Sequence, residues 1–232
     1  MAIRFSSFLL LAAFAAQLAY GYSLRHIRPH WEILDPPMSD RALDAAAFGD
    51  RQFLYRVLVV ELQNAGDEGG RVTPIKNYDV DLVVAWMEML DRLDLSAHHH
   101  IGLAMRYFSL NQDKPTLEPL VRYAMRHVAQ DPRRKLDWLS QALMMTQIRL
   151  KNDTLALEIA DQMASYDFPE INPLAYQIAP ILHERAGDLE AALAGMRRAL
   201  KLTRTRATPE DVAYMESFIT AVADRLGKTT VR

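Results

Sequence analysis

The fold is decided by one stretch, which reads GDLEAALAGMRRAL at residues 187–200. Gly187 and Asp188 form a turn signal, and the apolar residues after them recur at the spacing of one helical face. Another helical run, residues 174–185, precedes this turn. Asn172 and Pro173 open that run as N-cap and first helical residue. Residues 172–204 therefore predict two helices joined by a short turn.

The same pattern recurs upstream at a step of 36 residues. Four columns of apolar residues align in the second helices: Leu120, Ala156 and Ala192; Val121, Leu157 and Leu193; Ala124, Ala160 and Met196; Val128, Ala164 and Leu200. The first helices align less closely, at Leu103, Leu139 and Ala175 and at Tyr107, Leu143 and Ala179. A single helix pair cannot bury its apolar face, so about three must stack. The sequence therefore predicts an all-α array of stacked helix pairs.

Residues 172–204 resemble the tetratricopeptide-repeat family, and residues 99–169 resemble it more weakly. The family's aromatic, small and turn positions are occupied by Tyr176, Ala179, Gly187, Ala192, Met196 and Ala199. The match departs at Pro180, where the family has a small residue, and at His183, where it has an aromatic residue. The resemblance implies a right-handed α-solenoid of about three to four tetratricopeptide-like hairpins with a C-terminal capping helix.

The resemblance also implies a binding surface, because the first helix of each pair lines the concave groove in that family. The positions that correspond in this chain are Met105, Ser109, Trp138, Gln141, Met145, Gln177, Ile181 and Glu184. Apolar residues with amides between them would suit an amphipathic or extended peptide. A slip of one position in the alignment would instead place Trp138 and Met145 in the core.

Composition excludes several classes of function. The chain has 27 basic and 29 acidic residues, whereas general nucleic-acid-binding proteins usually carry a basic excess. We therefore expect no nucleic-acid partner. The chain contains no cysteine, which excludes disulfides, thiol nucleophiles and thiolate metal sites.

Residues 1–22 have the features of a targeting segment. Arg4 and the amino terminus are positive, and residues 8–16 are uninterrupted apolar sequence. A cleaved signal peptide would use a small-x-small site at residues 13–15 or 19–21. An uncleaved anchor needs about 20 apolar residues, and this run is at the short end of that length. Both alternatives predict an exported body: periplasmic and tethered to the inner (cytoplasmic) membrane, or periplasmic or secreted after cleavage.

Local sequence signals predict the structure of the remaining segments. The prolines of residues 23–39 predict an extended linker. Residues 40–96 are expected to hold helices at 40–48, 51–64 and 79–94, the second of which is apolar nearly all round and is therefore predicted to be buried. Residues 97–227 hold the repeats. They end in a helix at 210–226 that begins with a Thr208–Asp211 capping box and stops at Gly227, before a tail at 228–232.

Residues 65–78 form a long polar segment between two predicted helices. Its glycines and Pro74 break any helix, and its charged residues Asp67, Arg71 and Lys76 are candidates for contact with a partner. The alternative is a solvated connector. The segment is not a phosphate loop, because it lacks a Gly-Lys-Ser/Thr run and no strand precedes it.

The histidine triplet fits a polar helix start better than a metal site, although Asp94 and His98 have the i, i+4 spacing that a surface metal site would use. His98, His99 and His100 are adjacent, and neighbouring helical residues diverge by about 100°, so the three cannot face one ion. His127 and His183 are isolated and are expected to be structural. The chain has no nucleophile elbow, Walker loop or dinucleotide fingerprint. We therefore predict no catalytic residue, metal or cofactor.

These observations favour a non-catalytic scaffold or adaptor of a bacterial-type cell envelope that binds a protein or peptide in a helical groove. One alternative is a structural subunit packed inside a larger envelope complex through helices such as residues 51–64. Another is an enzyme or metal-dependent protein that uses the 65–78 loop and His98–His100.

Overall fold

The computed structural model describes residues 2–24, 33–67, 72–110 and 114–230, without the side chains of residues 2–9, 24, 114–116 and 228–230. Every regular element in these ranges is helical, so the predicted all-α class is confirmed. The chain divides into two compact units, residues 1–33 and residues 34–232. The helical repeats and the candidate site lie in the second unit.

The first unit contains helix α1, Ala2–Leu24. Its large apolar side chains, among them Leu10, Leu11, Phe14 and Leu18, are exposed. Within the described residues, no helix combines the length and the apolar character that crossing a bilayer requires.

The second unit begins with three helices, α2 (Asp40–Ala47), α3 (Arg51–Asn64) and α4 (Val80–Leu93). Each is capped by the polar residue before it: Ser39 accepts from the Ala42 amide, Asp50 from the Phe53 amide, and Asp79 from the amides of residues 81 and 82. The boundaries agree with the predicted helices to within one residue. Phe48 ends α2 in the left-handed conformation, at φ 46°, with its side chain exposed.

The predicted burial of α3 holds for one of its faces and is wrong for the other. Leu54, Leu58 and Leu62 face the core, whereas Phe53 is 62% exposed and Val57 and Val60 are about half exposed, at 46% and 51%. Helices α2 and α4 both contact α3, but they leave the face with Phe53, Val57 and Val60 in solvent. The sequence could not show this, because residues of both faces are apolar.

The segment after α3 folds back on itself. The Tyr78 hydroxyl donates to the Ala65 carbonyl, and Oγ1 of Thr73 donates to the Gly66 carbonyl over 2.7 Å. Gly66 has φ 79°, and a Cβ there would lie 2.5 Å from the Tyr78 hydroxyl oxygen, so this position requires glycine. Asp67 and Lys76 are exposed, and Arg71 lies outside the described residues. A single turn of 3₁₀-helix, Ile75–Asn77, leads into α4.

Two further pairs follow. Helix α5, His99–Gly102, continues as a π-helical turn over Leu103–Tyr107 and is followed by α6, Lys114–Gln130. Helix α7, Pro132–Met145, likewise continues into a π-helical turn at Thr146–Leu150 and is followed by α8, Asp153–Ser165. Pro132 stands at the first position of α7, as its sequence signal predicts.

The last three helices are α9 (Pro173–Ala186), α10 (Leu189–Thr203) and α11 (Pro209–Thr230). Asn172 caps α9, and Gly187 ends it in the left-handed conformation at φ 86°. Thr208 and Asp211 form the predicted capping box, because each accepts a bond from the other's amide. The predicted end of α11 at Gly227 is wrong. Its backbone stays helical to residue 230, because Gly227 does not take the left-handed conformation by which a glycine ends a helix.

Two of the four columns in the second helices are buried throughout, whereas Leu157, Ala164 and Leu200 of the other two columns are partly exposed. Leu120, Ala156 and Ala192 are 0%, 1% and 0% exposed, and helices adjacent in sequence pack against each other from α6 to α11. Hydrogen bonds between side chains and the preceding unit repeat at similar separations: Gln162 to Met125 O (37 residues), Trp138 to His98 (40), and Arg122 to Glu158 (36). These three bonds join the pair α5–α6 to the pair α7–α8, and Arg126 of α6 bonds to Glu88 of α4 over a similar separation of 38 residues.

Pro180 explains one departure from the repeat pattern. Its ring lies in α9 against Gly195 of α10, where an added Cβ would come within 2.9 Å of the ring Cγ. The two helices can approach closely because the small residue stands on the second helix instead of the first. A large residue on α9 thus faces a small residue on α10, so the two side chains together still fit between the helices.

Candidate functional site

The strongest concentration of polar side chains in the described core is built on Asp91, His100 and His127. Oδ1 of Asp91 accepts hydrogen bonds from Nε2 of His100 over 2.7 Å and from Nδ1 of His127 over 2.6 Å. The three residues come from α4, α5 and α6. Both imidazoles are 0% exposed and Asp91 is 9% exposed, so the cluster is buried and Asp91 is its most accessible member. Buried charges are rare unless they are paired in this way.

The helices place these side chains by ordinary packing. Asp91 lies on the buried face of α4 among Met87, Met89 and Leu90, and His127 lies on the buried face of α6. His100 is the second residue of α5, next to Ile101, which is fully buried. The apolar residues of each helix pack in the core, so the polar residue on the same face is buried with them. Three buried polar side chains are thereby close enough to form hydrogen bonds with one another.

Two tyrosines extend the cluster. The Tyr55 hydroxyl of α3 lies 2.9 Å from Nδ1 of His100, and the Tyr123 hydroxyl lies 3.3 Å from Nδ1 of His127. The Tyr55 ring also contacts the His100 ring edge to face, with centroids 5.6 Å apart. Consequently four helical segments, α3 to α6, meet at one polar network.

The electrostatics of the network favour an ionised carboxylate. Burial alone would raise the pKa of Asp91, but hydrogen bonds from His100 and His127 outweigh burial and lower that pKa to about 2. Burial lowers the pKa of His100, only partly opposed by Asp91, so this ring is neutral. A neutral His100 that donates from Nε2 can accept from the Tyr55 hydroxyl at Nδ1.

Burial also raises the pKa of both tyrosines, that of Tyr55 to about 12, and the Asp91 charge acts in the same direction. Lys135 reaches the same region from α7. It is 0% exposed, its ammonium donates to the Leu95 carbonyl, and burial lowers its pKa. These tyrosines are therefore neutral hydrogen-bonding groups at ordinary pH.

One atom of the network has no hydrogen-bond partner. Nε2 of His127 is buried and unpaired among the described residues. Because buried polar atoms are nearly always paired with protein or water, an unpaired imidazole nitrogen indicates that this network is incomplete by itself.

A cavity of about 290 Å³ lies next to the cluster between α4 and α6. Its lining residues are Glu88, Asp91, Arg92, Tyr123, Arg126 and Gln130. Arg126 pairs with Glu88 over 2.7 Å at its wall, and Arg92 and Gln130 are exposed, so the cavity reaches the surface. The cavity links the buried Asp91 to solvent.

The structure separates the three adjacent histidines, as their helical spacing predicts. Nδ1 of His98 accepts from the Trp138 indole over 3.2 Å, and His99 is exposed and bonded to Gln63 over 2.9 Å. Of the three, His100 joins the buried cluster. The metal-dependent alternative placed its ligands in the triplet and in the 65–78 loop, whereas the partners of His100 described above come from α3, α4 and α6.

The predicted groove residues divide into two groups. Met105, Ser109, Trp138, Met145 and Gln177 are buried, with Trp138 9% exposed beneath the Arg106 guanidinium. Gln141, Ile181 and Glu184 are partly exposed, and Glu184 pairs with Arg225 of α11. A partner could therefore reach the second group without rearrangement of the core.

Sequence analysis missed Asp91 entirely and treated His127 as isolated. One signal was present: Asp91 and His127 stand 36 residues apart, which is the repeat step, so equivalent helices place them side by side. His100 gave no comparable signal, since it stands in a short helix whose direction depends on its packing.

Compared with protein-family models, curated proteins and solved structures, the chain matches none.

Proposed function

We propose that this chain is a non-catalytic protein-interaction module of the tetratricopeptide-like kind. In this proposal the helix pairs from α3 to α10 form a right-handed solenoid, which α11 caps. The buried columns at 36-residue steps and the hydrogen bonds between successive pairs support such an arrangement. Arrays of this kind act by presenting an extended surface to a partner.

The observation that carries the proposal is the exposed apolar stripe of α3. Phe53, Val57 and Val60 follow at i, i+4 and i+7 on one helical face, and each is about half exposed or more. Phe48, which is 95% exposed, precedes them at the end of α2. Soluble monomers rarely leave large apolar side chains clustered in water, and such clusters mark interaction sites.

The occupant of this stripe is the apolar face of a helix from another protein. Apolar residues at this spacing can form one side of a helix–helix interface, and the partner's helix would form the other side. This favours the role of a structural subunit in a larger complex over a peptide receptor, because the residues of the implied groove are largely buried. The groove remains a second candidate through Gln141, Ile181 and Glu184.

The test is crosslinking of the full-length chain in the cells that make it, followed by direct binding of the purified partner. The double variant Phe53→Ser, Val57→Ser should lose the partner, whereas Gln52→Ser on the same helix and Ile181→Ser in the groove should retain it. Loss of partner binding in Ile181→Ser, with binding retained in the double variant, would favour the groove as the binding site instead.

The molar mass of the purified chain in solution distinguishes self-association from binding of a different partner protein. A dimer that the stripe variant abolishes would overturn the proposal of a different partner protein. A chain that stays monomeric and binds its partner only when the stripe is intact would support it.

We also propose that residues 1–22 export the body, either as a signal anchor of the inner membrane or as a cleaved signal peptide. The positive amino-terminal end and the apolar run of residues 8–16 support this. A reporter fused after Arg232 that is active outside the cytoplasm only is the expected result, and the mass of the mature amino terminus decides between anchor and cleavage. Reporter activity in the cytoplasm would contradict export.

A further inference from the structure

We propose that Asp91, His100 and His127 form a binding site for a divalent transition-metal ion of the Zn²⁺ class. Each residue offers one ligand atom, and these atoms all lie within 4.8 Å of one another. Two imidazoles and one carboxylate are the protein ligands typical of zinc sites that keep one position for water. The site is independent of the partner-binding function proposed above.

The atoms need little movement to reach coordination geometry. With ligand atoms about 2.0–2.1 Å from a tetrahedral ion, neighbouring ligand atoms lie about 3.3 Å apart. Asp91 Oδ1 now lies 2.7 Å from His100 Nε2 and 2.6 Å from His127 Nδ1. An expansion of about 0.7 Å, within the reach of small side-chain rotations, admits the ion in place of the two N–H···O bonds.

Tyr55 supports a ligating His100. When Nε2 binds a metal through its lone pair, the ring proton must stand on Nδ1, and the Tyr55 oxygen 2.9 Å away can accept it. Metal-bound histidines usually donate their second N–H to such a partner, which fixes the tautomer and the ring orientation. Tyr55 is therefore a positioning residue.

The cavity beside the cluster supplies an entry path and room for a water ligand. Asp91 and Tyr123 stand at its wall, and its remaining lining residues, among them Glu88 and Arg126, reach the surface. Three positive groups nearby oppose a cation, and each has a partner of its own. The Lys135 ammonium donates to the Leu95 carbonyl, while Arg92 and Arg126 at the cavity wall pair with Asp40 over 2.8 Å and with Glu88 over 2.7 Å.

The test uses the full-length chain without an affinity tag, stripped of metal with a chelator and titrated with Zn²⁺ against a chromophoric chelator. We expect one ion per chain for the wild type and for His99→Gln, the exposed neighbour of His100. His127→Gln and His100→Gln should bind at least about 100-fold more weakly, and Tyr55→Phe about 10-fold to 100-fold more weakly.

Two measurements on the wild type do not depend on the variants' folding. Co²⁺ should give the strong visible absorption of a four-coordinate site with nitrogen ligands, and excess Zn²⁺ should raise the thermal unfolding midpoint, because it binds the native chain. Failure to bind one ion per chain overturns the proposal. So does binding that His99→Gln abolishes and His127→Gln retains, which would be adventitious binding at exposed histidines.

Discussion

Nδ1 of His127 lies 2.6 Å from Oδ1 of Asp91, and this hydrogen bond joins equivalent positions of two successive second helices, 36 residues apart. The next members of the same column are Met163 and Ala199, and both are 1% exposed. A position that is apolar in the later units is thus polar in the first two. This position of the repeat is buried in each unit. Polar residues at this position in the first two units therefore form a buried polar site.

Asp91→Ala should destabilise the fold strongly. It leaves two buried imidazole N–H groups without an acceptor, and each costs about 1–3 kcal/mol. We expect a fall of about 3 kcal/mol in the free energy of unfolding, measured by urea denaturation of chelator-treated protein. Asp137→Ala, at an exposed position of α7, is the control and should change it by about 0.5 kcal/mol or less. Equal effects of the two substitutions would contradict the buried network.

Substitutions on the two faces of α3 should differ in how much they lower the free energy of unfolding. Leu58 is 2% exposed and its replacement by alanine should cost about 2–5 kcal/mol, because a cavity opens in the core. Val57 is 46% exposed, and Val57→Ser should change the free energy of unfolding by about 0.5 kcal/mol or less. Chemical denaturation of the isolated full-length chain measures both. A large loss in Val57→Ser would show that this stripe is covered within the chain.

Gly195 should not tolerate alanine, although alanine favours helices by about 1 kcal/mol. Its Cβ would lie 2.9 Å from the Pro180 ring, so α9 and α10 must separate, at a cost of about 1–3 kcal/mol. Gly227→Ala is the matched control, since nothing lies within 4 Å of its Cβ, and it should stabilise α11. Thermal unfolding measures both variants.

The same contact can be tested by a double substitution. Gly195→Ala combined with Pro180→Ala removes the ring that the new methyl group meets, so the cost of Gly195→Ala should largely disappear in that background. Additive effects of the two substitutions would mean that the ring and the glycine do not pack against each other.

Tyr78 should make stability decline at alkaline pH. Burial, assisted by Tyr107 and Asp67, raises its pKa to about 12 from an ordinary value of 10.0. A raised folded-state pKa contributes stability that is complete below pH 10.0 and is lost as the pH approaches about 12. Tyr78→Phe lacks this group, so the stability difference between wild type and variant should narrow as the pH rises through this window. Denaturant unfolding at about pH 9 and pH 11 measures it, and a constant difference would be inconsistent with a buried phenol.

The local signals of the chain predicted most of the helices. Asn172 caps α9 and Thr208 forms a capping box with Asp211, as predicted, and the bounds of α3 agree with prediction. Caps and periodicity act within about four residues, so they are readable without tertiary structure. The partition of α3 into covered and exposed faces was not readable, because both faces are apolar.

By itself, the sequence determined an all-α chain with a 36-residue step and a buried column of small and apolar residues, since periodicity fixes which residues share a face. Tertiary structure alone decided that Asp91, His100 and His127 meet. Their convergence depends on how α4, α5 and α6 pack and on the direction in which the short helix at His99–Gly102 runs. Hydrogen bonds over 9 and 36 residues arise only when separate helices are held in register by the core around them.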